Sequence, residues 1–243
     1  MHRRESVAIG SGTANVCFTD RADGDLRALP PEPTTAADRA RWVTAVAARR
    51  AAIVDRPWTW LRQVHGARAV LVPEAGVLAG AQADAALTNR PGCPVAVAVA
   101  DCAPVILVAE EGVAAVHAGW RGLVGGVVDA AASQLRAVAG PPVATFLGPC
   151  ISPAAYEFGP ADLDDAARAL GQQVRARTAW DTPALDVPAA VAVACERAGW
   201  PLPAPAVACT SDEAFFSHRT RADTGRQVAV TWIEPDENGS AGP

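Results

Sequence analysis

The chain has 243 residues; 50% are hydrophobic and 19% charged, and 26 acidic against 21 basic residues give a formal charge of -5. This composition excludes an intrinsically disordered chain, and a mildly acidic balance without any basic block excludes nucleic-acid binding by bulk electrostatics. No apolar run reaches the roughly 18 residues of a membrane span and no apolar stretch follows Met1-His2-Arg3-Arg4, so the expectation is a cytoplasmic protein without a membrane partner.

From its start to about Pro33 the chain is polar, with a turn at Asp23-Gly24. Thr35 predicts a helix cap, and Ala36 to Ile53 carries Trp42, Val46 and Ile53 near helical spacing, with Pro57 beyond. Val64 to Val72 reads as a strand, and Pro94 to Ala100, Val105 to Ala109 and Val113 to Val116 as three more, rich in Val and bounded by Gly, Pro or acidic turns. After Gly122 the pattern Leu123, Val127, Val128, Ala131 and Leu135 is helical. Gly140-Pro141-Pro142 stops it, and Val143 to Leu147 is again a strand.

Ala161 to Arg177 is a predicted helix with Asp162, Asp164 and Asp165 in its first turn, where the dipole favours acids. Val187 to Ala198 is another, between Asp186 as cap and Gly199 as stop. Ala204 to Cys209 and Gln227 to Ile233 are late strands, and Glu234 to Pro243 is a polar tail expected to fray. Strands and helices do not alternate strictly, which predicts an α/β domain with mixed sheets rather than a doubly wound one. We read residues 1–243 as one domain.

The chain holds no lysine, which excludes Schiff-base catalysis and a Walker-type lysine. Its six cysteines form no C-x-x-C pair and read as free thiols of a reducing compartment. Of four histidines, His65 and His117 fall at strand ends, as does Cys102. The separations, 37 and 15 residues, do not suit a zinc knuckle. Brought together on a rigid scaffold, two His and one Cys form a catalytic zinc set with one position open; left apart, they are buried histidines and a core cysteine. A third reading makes Cys102 a metal-free nucleophile with His117 as its base.

Around this set, Gly119 and Gly122 allow backbone N–H groups to approach an anion at a helix start, and Arg121 adds a bidentate donor. Asp101, beside Cys102, could orient a ligand or carry a proton. Cys150 reads as a packed structural thiol. Phe215-Phe216 could stack on a planar ring or form a core edge.

Gln63-Val64-His65-Gly66, Ala83-Asp84-Ala85, Asp101-Cys102-Ala103-Pro104, His117-Ala118-Gly119-Trp120-Arg121-Gly122, Gly148-Pro149-Cys150-Ile151, and Cys209-Thr210 with Phe215-Phe216-Ser217 occur in this order. Together they resemble the YfiH, or laccase-domain, family. The resemblance covers about residues 10 to 233. It implies a single α/β domain of α/β/β/α layers with mixed sheets, and a zinc on His65, Cys102 and His117. It also implies phosphorolysis of adenosine, inosine and S-methyl-5′-thioadenosine, with adenosine deamination. A small purine nucleoside and phosphate are the implied partners.

Arg121 and Asp101 are the catalytic candidates; Arg21, Gly119, Gly122, Phe216 and Arg219 are the substrate- and phosphate-binding candidates. Two departures from the family pattern bear on substrate preference: the loop around Arg21 is altered, and His218 stands where the family carries Tyr, with Arg219 kept. Copper-dependent phenol oxidation is the alternative activity, and a metal-free Cys–His hydrolase or peptidoglycan editing factor a third. Two His and one Cys resemble a blue-copper set, but Met1 is the chain's single Met and four His do not furnish a multinuclear cluster.

Overall fold

The computed structural model describes residues 3–30, 35–201 and 208–236. Its first half runs β1 (Arg3–Ile9), β2 (Gly12–Phe18), α1 (Ala36–Ala51), β3 (Thr59–Arg62), β4 (Ala69–Leu71), β5 (Ala81–Gln82), β6 (Ala85–Thr88), β7 (Val95–Val99), β8 (Ala103–Ala109) and β9 (Gly112–Ala118). There follow α2 (Trp120–Val124), α3 (Val127–Ala139), β10 (Pro142–Leu147), α4 (Pro160–Leu170), β11 (Arg175–Arg177), β12 (Pro183–Leu185), α5 (Val187–Arg197), α6 (His218–Arg221) and β13 (Gln227–Glu234). Among the described residues no helix is long and apolar enough to cross a membrane.

Two mixed sheets form the centre. The first has the order β1-β2-β13-β7-β3-β5 and the second β10-β8-β9-β6-β4. Pairing is parallel at β3–β7, β3–β5 and β4–β6, and antiparallel elsewhere in both. Alternation within each strand builds the layers. From β8, Ile106 and Val108 face the six-stranded sheet and pack with Val16, Val97 and Ala229. Val105 and Leu107 face the other way, onto Leu123, Val128 and Leu135 of the helices. Burial on both faces explains why β8 and β9 read as unbroken apolar runs. On the outer side, Leu26, Ile53 and Trp58 cover Val228 and Val230 of β13. The result is the α/β/β/α order, with a thin outer helical layer: within α1 only Val46 is buried.

Thr35 caps α1 and Asp186 caps α5, each accepting a backbone N–H. Four expectations change. The polar N-terminal stretch is a hairpin, Arg3 opposite Phe18 through Ile9 opposite Gly12; β1 is an exposed edge and carries the charges that hide the strand signal. Val64 to Val72 is not one strand: β3 ends at Arg62 and β4 starts at Ala69 in the other sheet, with a loop between them. The helical run after Gly122 begins at Trp120 and breaks at Gly125-Gly126, where Gly126 has φ 82°. The helix drawn to Arg177 stops at Leu170, because Gly171 takes φ 99°, and Arg175–Arg177 pairs with β12. The strand predicted from Ala204 lies outside the described residues except at its end, where Cys209 bridges Cys150; most of the predicted tail lies outside them too, and Glu234 belongs to β13.

Ile106 is fully buried between the sheets. Ile106→Ala is expected to lower unfolding free energy by about 2–5 kcal/mol, read as a lower urea midpoint at an unchanged slope.

Candidate metal centre

Two chain crossings between the sheets meet at one end of the sandwich. The loop from β3 to β4 carries His65, and the turn from β7 to β8 carries Asp101 and Cys102. His117 stands one residue before the end of β9. One donor atom from each of His65, Cys102 and His117 lies within 4.8 Å of the others.

A buried carboxylate organises the first crossing. Asp84, fully buried just before β6, accepts the backbone N–H groups of His65 and Gly66, each at 2.8 Å, and of Val64 at 3.2 Å. These bonds hold His65 in the left-handed region, φ 59°, a conformation that costs a non-glycine residue energy. The same carboxylate lies 2.8 Å from Nδ1 of His117. Burial raises the Asp84 carboxyl, but the bonds from His117 and the loop amides outweigh it and hold the group below its ordinary range. An ionised carboxylate only accepts, so Nδ1 of His117 carries a proton and Nε2 is the ring atom left for Cys102 or for a metal.

Cys102 Sγ is 3.8 Å from Nε2 of His65. Burial works against ionisation of this thiol. The charge on His117 and hydrogen bonds from both imidazoles exceed that effect, so the thiolate is favoured. His117 moves the opposite way: burial lowers it, while the Cys102 charge and the Asp84 bond raise it. Each group in this pair stabilises the other's charge, a role a cation would take over.

The residues fit a tetrahedral ion. Bonds of about 2.3 Å to sulfur and about 2.0 Å to nitrogen put the two ligand atoms about 3.6 Å apart, close to what is seen. Gly119 supplies the space: a Cβ there would lie 2.8 Å from Cδ2 of His65 and 3.2 Å from Cys102 Sγ. Gly122 likewise sits where a Cβ would be 3.0 Å from the Gly66 carbonyl, so both glycines serve close packing around the donors. A tetrahedral ion held by His65, Cys102 and His117 would keep a fourth position for solvent or substrate.

The three donors line a cavity of about 520 Å³ with Arg27, Arg219, Arg226, Tyr156 and His218 among its other walls. Arg219 lies over the Tyr156 ring, 4.9 Å from its centroid. Arg27 and the backbone of Arg226 share Asp25, at 2.9 and 3.2 Å. Burial, and after it the Arg27 charge, lower Arg226 against the opposing pull of Asp25, Cys102 and Asp101. Asp101 also lines the cavity; its carboxylate accepts Thr210 Oγ1, Ser217 Oγ and the Arg219 N–H, each at 2.7 Å, and it too has positive φ, 88°.

Three other sequence candidates lie elsewhere. Arg121 is exposed and stacks 4.3 Å over Trp120, outside the cavity lining. Arg21 pairs with Asp223 at 2.5 Å, donates to the carbonyls of Glu213 and Phe215, and covers the Phe216 ring at 4.6 Å. Phe216 is buried between Arg21 and Gly225, so it supports the segment bearing His218 and Arg219 instead of offering a stacking face. Sequence reasoning assigned no role to Asp84, Arg27 or Arg226; for Asp84 the available signal was one acid inside the apolar run Ala83 to Leu87.

Asp84→Asn, which leaves one acceptor oxygen for four donors, is expected to weaken zinc binding about 10–100-fold in a chelator competition. Gly119→Ala is expected to weaken it as well while far-ultraviolet circular dichroism stays unchanged; full affinity in both variants would contradict this assignment.

Residues 33–234 match the family model described as multi-copper polyphenol oxidoreductase laccase. A purine nucleoside phosphorylase of Streptomyces coelicolor is 35% identical over 91% of this chain and 96% of its own. The purine nucleoside phosphorylase YfiH of Escherichia coli is 35% identical over 72% of this chain and 73% of its own. Among solved structures, the hypothetical protein YfiH of Bacillus licheniformis superposes with a TM-score of 0.75 at 22% identity over 91% of this chain and 93% of that one, a likeness of fold. A Neisseria meningitidis protein gives 0.73 at 25% identity over 95% and 99%. With its mixed two-sheet sandwich and its His-Cys-His cluster, the chain belongs to the YfiH, or laccase-like polyphenol oxidoreductase, family.

Proposed function

We propose that this protein is a zinc-dependent purine nucleoside phosphorylase acting on adenosine, inosine and S-methyl-5′-thioadenosine, and that it also deaminates adenosine. The observation that carries the reading is one cavity with a three-donor metal set at its wall and Arg27, Arg219 and Arg226 around it. The names of the Streptomyces and Escherichia relatives support it. When bound, zinc supplies Lewis acidity at its open coordination position.

The protein's own groups do the rest. Arg219 holds inorganic phosphate for attack on the anomeric carbon, while Arg27, bonded to Asp25, and Arg226, bonded to the carbonyls of Asp223, Thr224 and Gly225, add positive charge at the wall; the bond to the base breaks as the new C–O bond forms. Tyr156, whose ring lies under the Arg219 guanidinium, supports that group at the cavity wall. Asp101 is the carboxylate among the described cavity residues and the proposed proton carrier for deamination; through Ser217 and Arg219 it also sets the position of the Arg219 guanidinium. Arg121, on the surface beside Trp120, is given no phosphate contact.

Purified protein incubated with adenosine and phosphate is expected to yield free adenine, with inosine as the mark of deamination. Arg219→Ala is expected to raise the phosphate KM at least about tenfold, the loss of one charge-assisted contact, and Arg121→Ala to change it far less. Absence of both products would overturn the proposal. One observation favours a second reading: Cys102 close to two imidazoles, its thiol lowered by His117, is also the arrangement of a cysteine nucleophile. Metal analysis separates the two, because activity in protein free of zinc and copper belongs to the thiol.

A further inference from the structure

Among the cysteines outside the metal centre, Cys209 differs from the rest. Burial pushes Cys17 and Cys195 up to about 12, and raises Cys93 and Cys150. For Cys209 burial acts the same way, but hydrogen bonds from Ser152 and Ser211 outweigh it and lower the thiol. Its sulfur receives the N–H of Ser152 at 3.2 Å and the hydroxyl of Ser211 at 3.0 Å, donates as a thiol to Ser152 Oγ at 3.1 Å, and is partly open to solvent. Directly opposite stands a second cysteine. Cys150 and Cys209 face each other across a parallel bridge, with Cys150 N–H bonded to Ala208 and Thr210 N–H bonded to Cys150. Cys150 is 2% exposed, and among the described residues its sulfur makes no hydrogen bond. Opposed strand positions are about 4.8 Å apart, within the roughly 4.4–6.8 Å Cα separation of disulfides.

We propose that Cys209 and Cys150 form a hydroperoxide-responsive thiol pair, with Cys209 as the attacking sulfur and Cys150 as the resolving one. The Cys209 thiolate attacks the distal oxygen of a hydroperoxide. The O–O bond breaks, the alcohol or water leaves with a proton, and Cys209 becomes a sulfenic acid. The Cys150 sulfur then attacks Cys209 and its S–O bond breaks. The departing hydroxide takes the Cys150 proton as water, so two thiols are oxidised and one hydroperoxide reduced. The pair touches the reaction cavity through Asp101: Ile151 donates to its backbone carbonyl and Thr210 to its carboxylate. Oxidation therefore fixes the spacing of the two segments that hold Asp101.

The test uses zinc-loaded, full-length protein treated with hydrogen peroxide, alkylated and digested with trypsin without reductant. Cleavage at arginine puts Cys150 alone in peptide 137–168 and Cys209 alone in peptide 198–219. The expected product is these two peptides joined, two hydrogens lighter than their sum and separated by dithiothreitol. Cys209→Ser is expected to abolish the joined species and leave Cys150 reduced. Cys150→Ala is expected to leave a Cys209 sulfenic acid that dimedone captures. Cys209 still fully alkylatable after peroxide, or a joined species that survives in Cys209→Ser by pairing Cys150 with another thiol, would overturn the proposal.

Discussion

A single buried anion, the Asp84 carboxylate, is the constraint on which the rest of the site depends. An ionised group with no exposure to solvent is tolerated only when its lone pairs are filled, and here three successive backbone amides and one imidazole fill them. That requirement bends the loop leaving β3, sets His65 in a left-handed conformation, and fixes which nitrogen of His117 faces the cavity. Asp101 does the equivalent work at the second crossing, where its three accepted bonds hold the segment carrying His218 and Arg219 against the turn that presents Cys102. Two aspartates at two inter-sheet crossings thus bring together donors that are distant in sequence.

The surrounding sandwich explains why this geometry is rigid. Strands β8 and β9 are buried on both faces, so Cys102 and His117 are carried by the best-packed part of the molecule. Gly119 is the complementary device: its missing side chain is the space in which the donors converge, and α2 begins there without an intervening loop. The arginines of the cavity wall come from the segments after β2 and before β13.

Much of this was legible in the sequence. The Val-rich runs of β7, β8 and β9 and the capped helices α1 and α5 carry local signals that tertiary structure did not override, whereas the His-Cys-His set, left open by its spacing, came forward through the family resemblance, and the fold brings its three donors together. The β1–β2 hairpin was hidden because its edge strand opens on three consecutive charged residues, Arg3-Arg4-Glu5, and its inner strand places small residues, Ala14 and Val16, toward the core. Arg21 and Phe216 have the right chemistry for substrate contact, yet they satisfy each other and the 213–223 segment, whereas Arg27 and Arg226 look unremarkable in sequence and line the cavity. Which arginine faces a cavity depends on long-range packing, and no local pattern encodes it. Asp84 carried a signal, one acid inside the apolar run Ala83 to Leu87, but its donors come from the β3–β4 loop and from β9, which no local pattern encodes.

We propose that one metal ion, zinc, is held by two imidazoles and one thiolate, and X-ray absorption at the zinc edge of the protein purified without added metal reads those ligands. The expected spectrum shows one zinc per chain with a single sulfur at about 2.3 Å and two nitrogens at about 2.0 Å, the sulfur shell vanishing in Cys102→Ser. A zinc surrounded only by nitrogen and oxygen, or a sulfur shell that survives in Cys102→Ser, would contradict it.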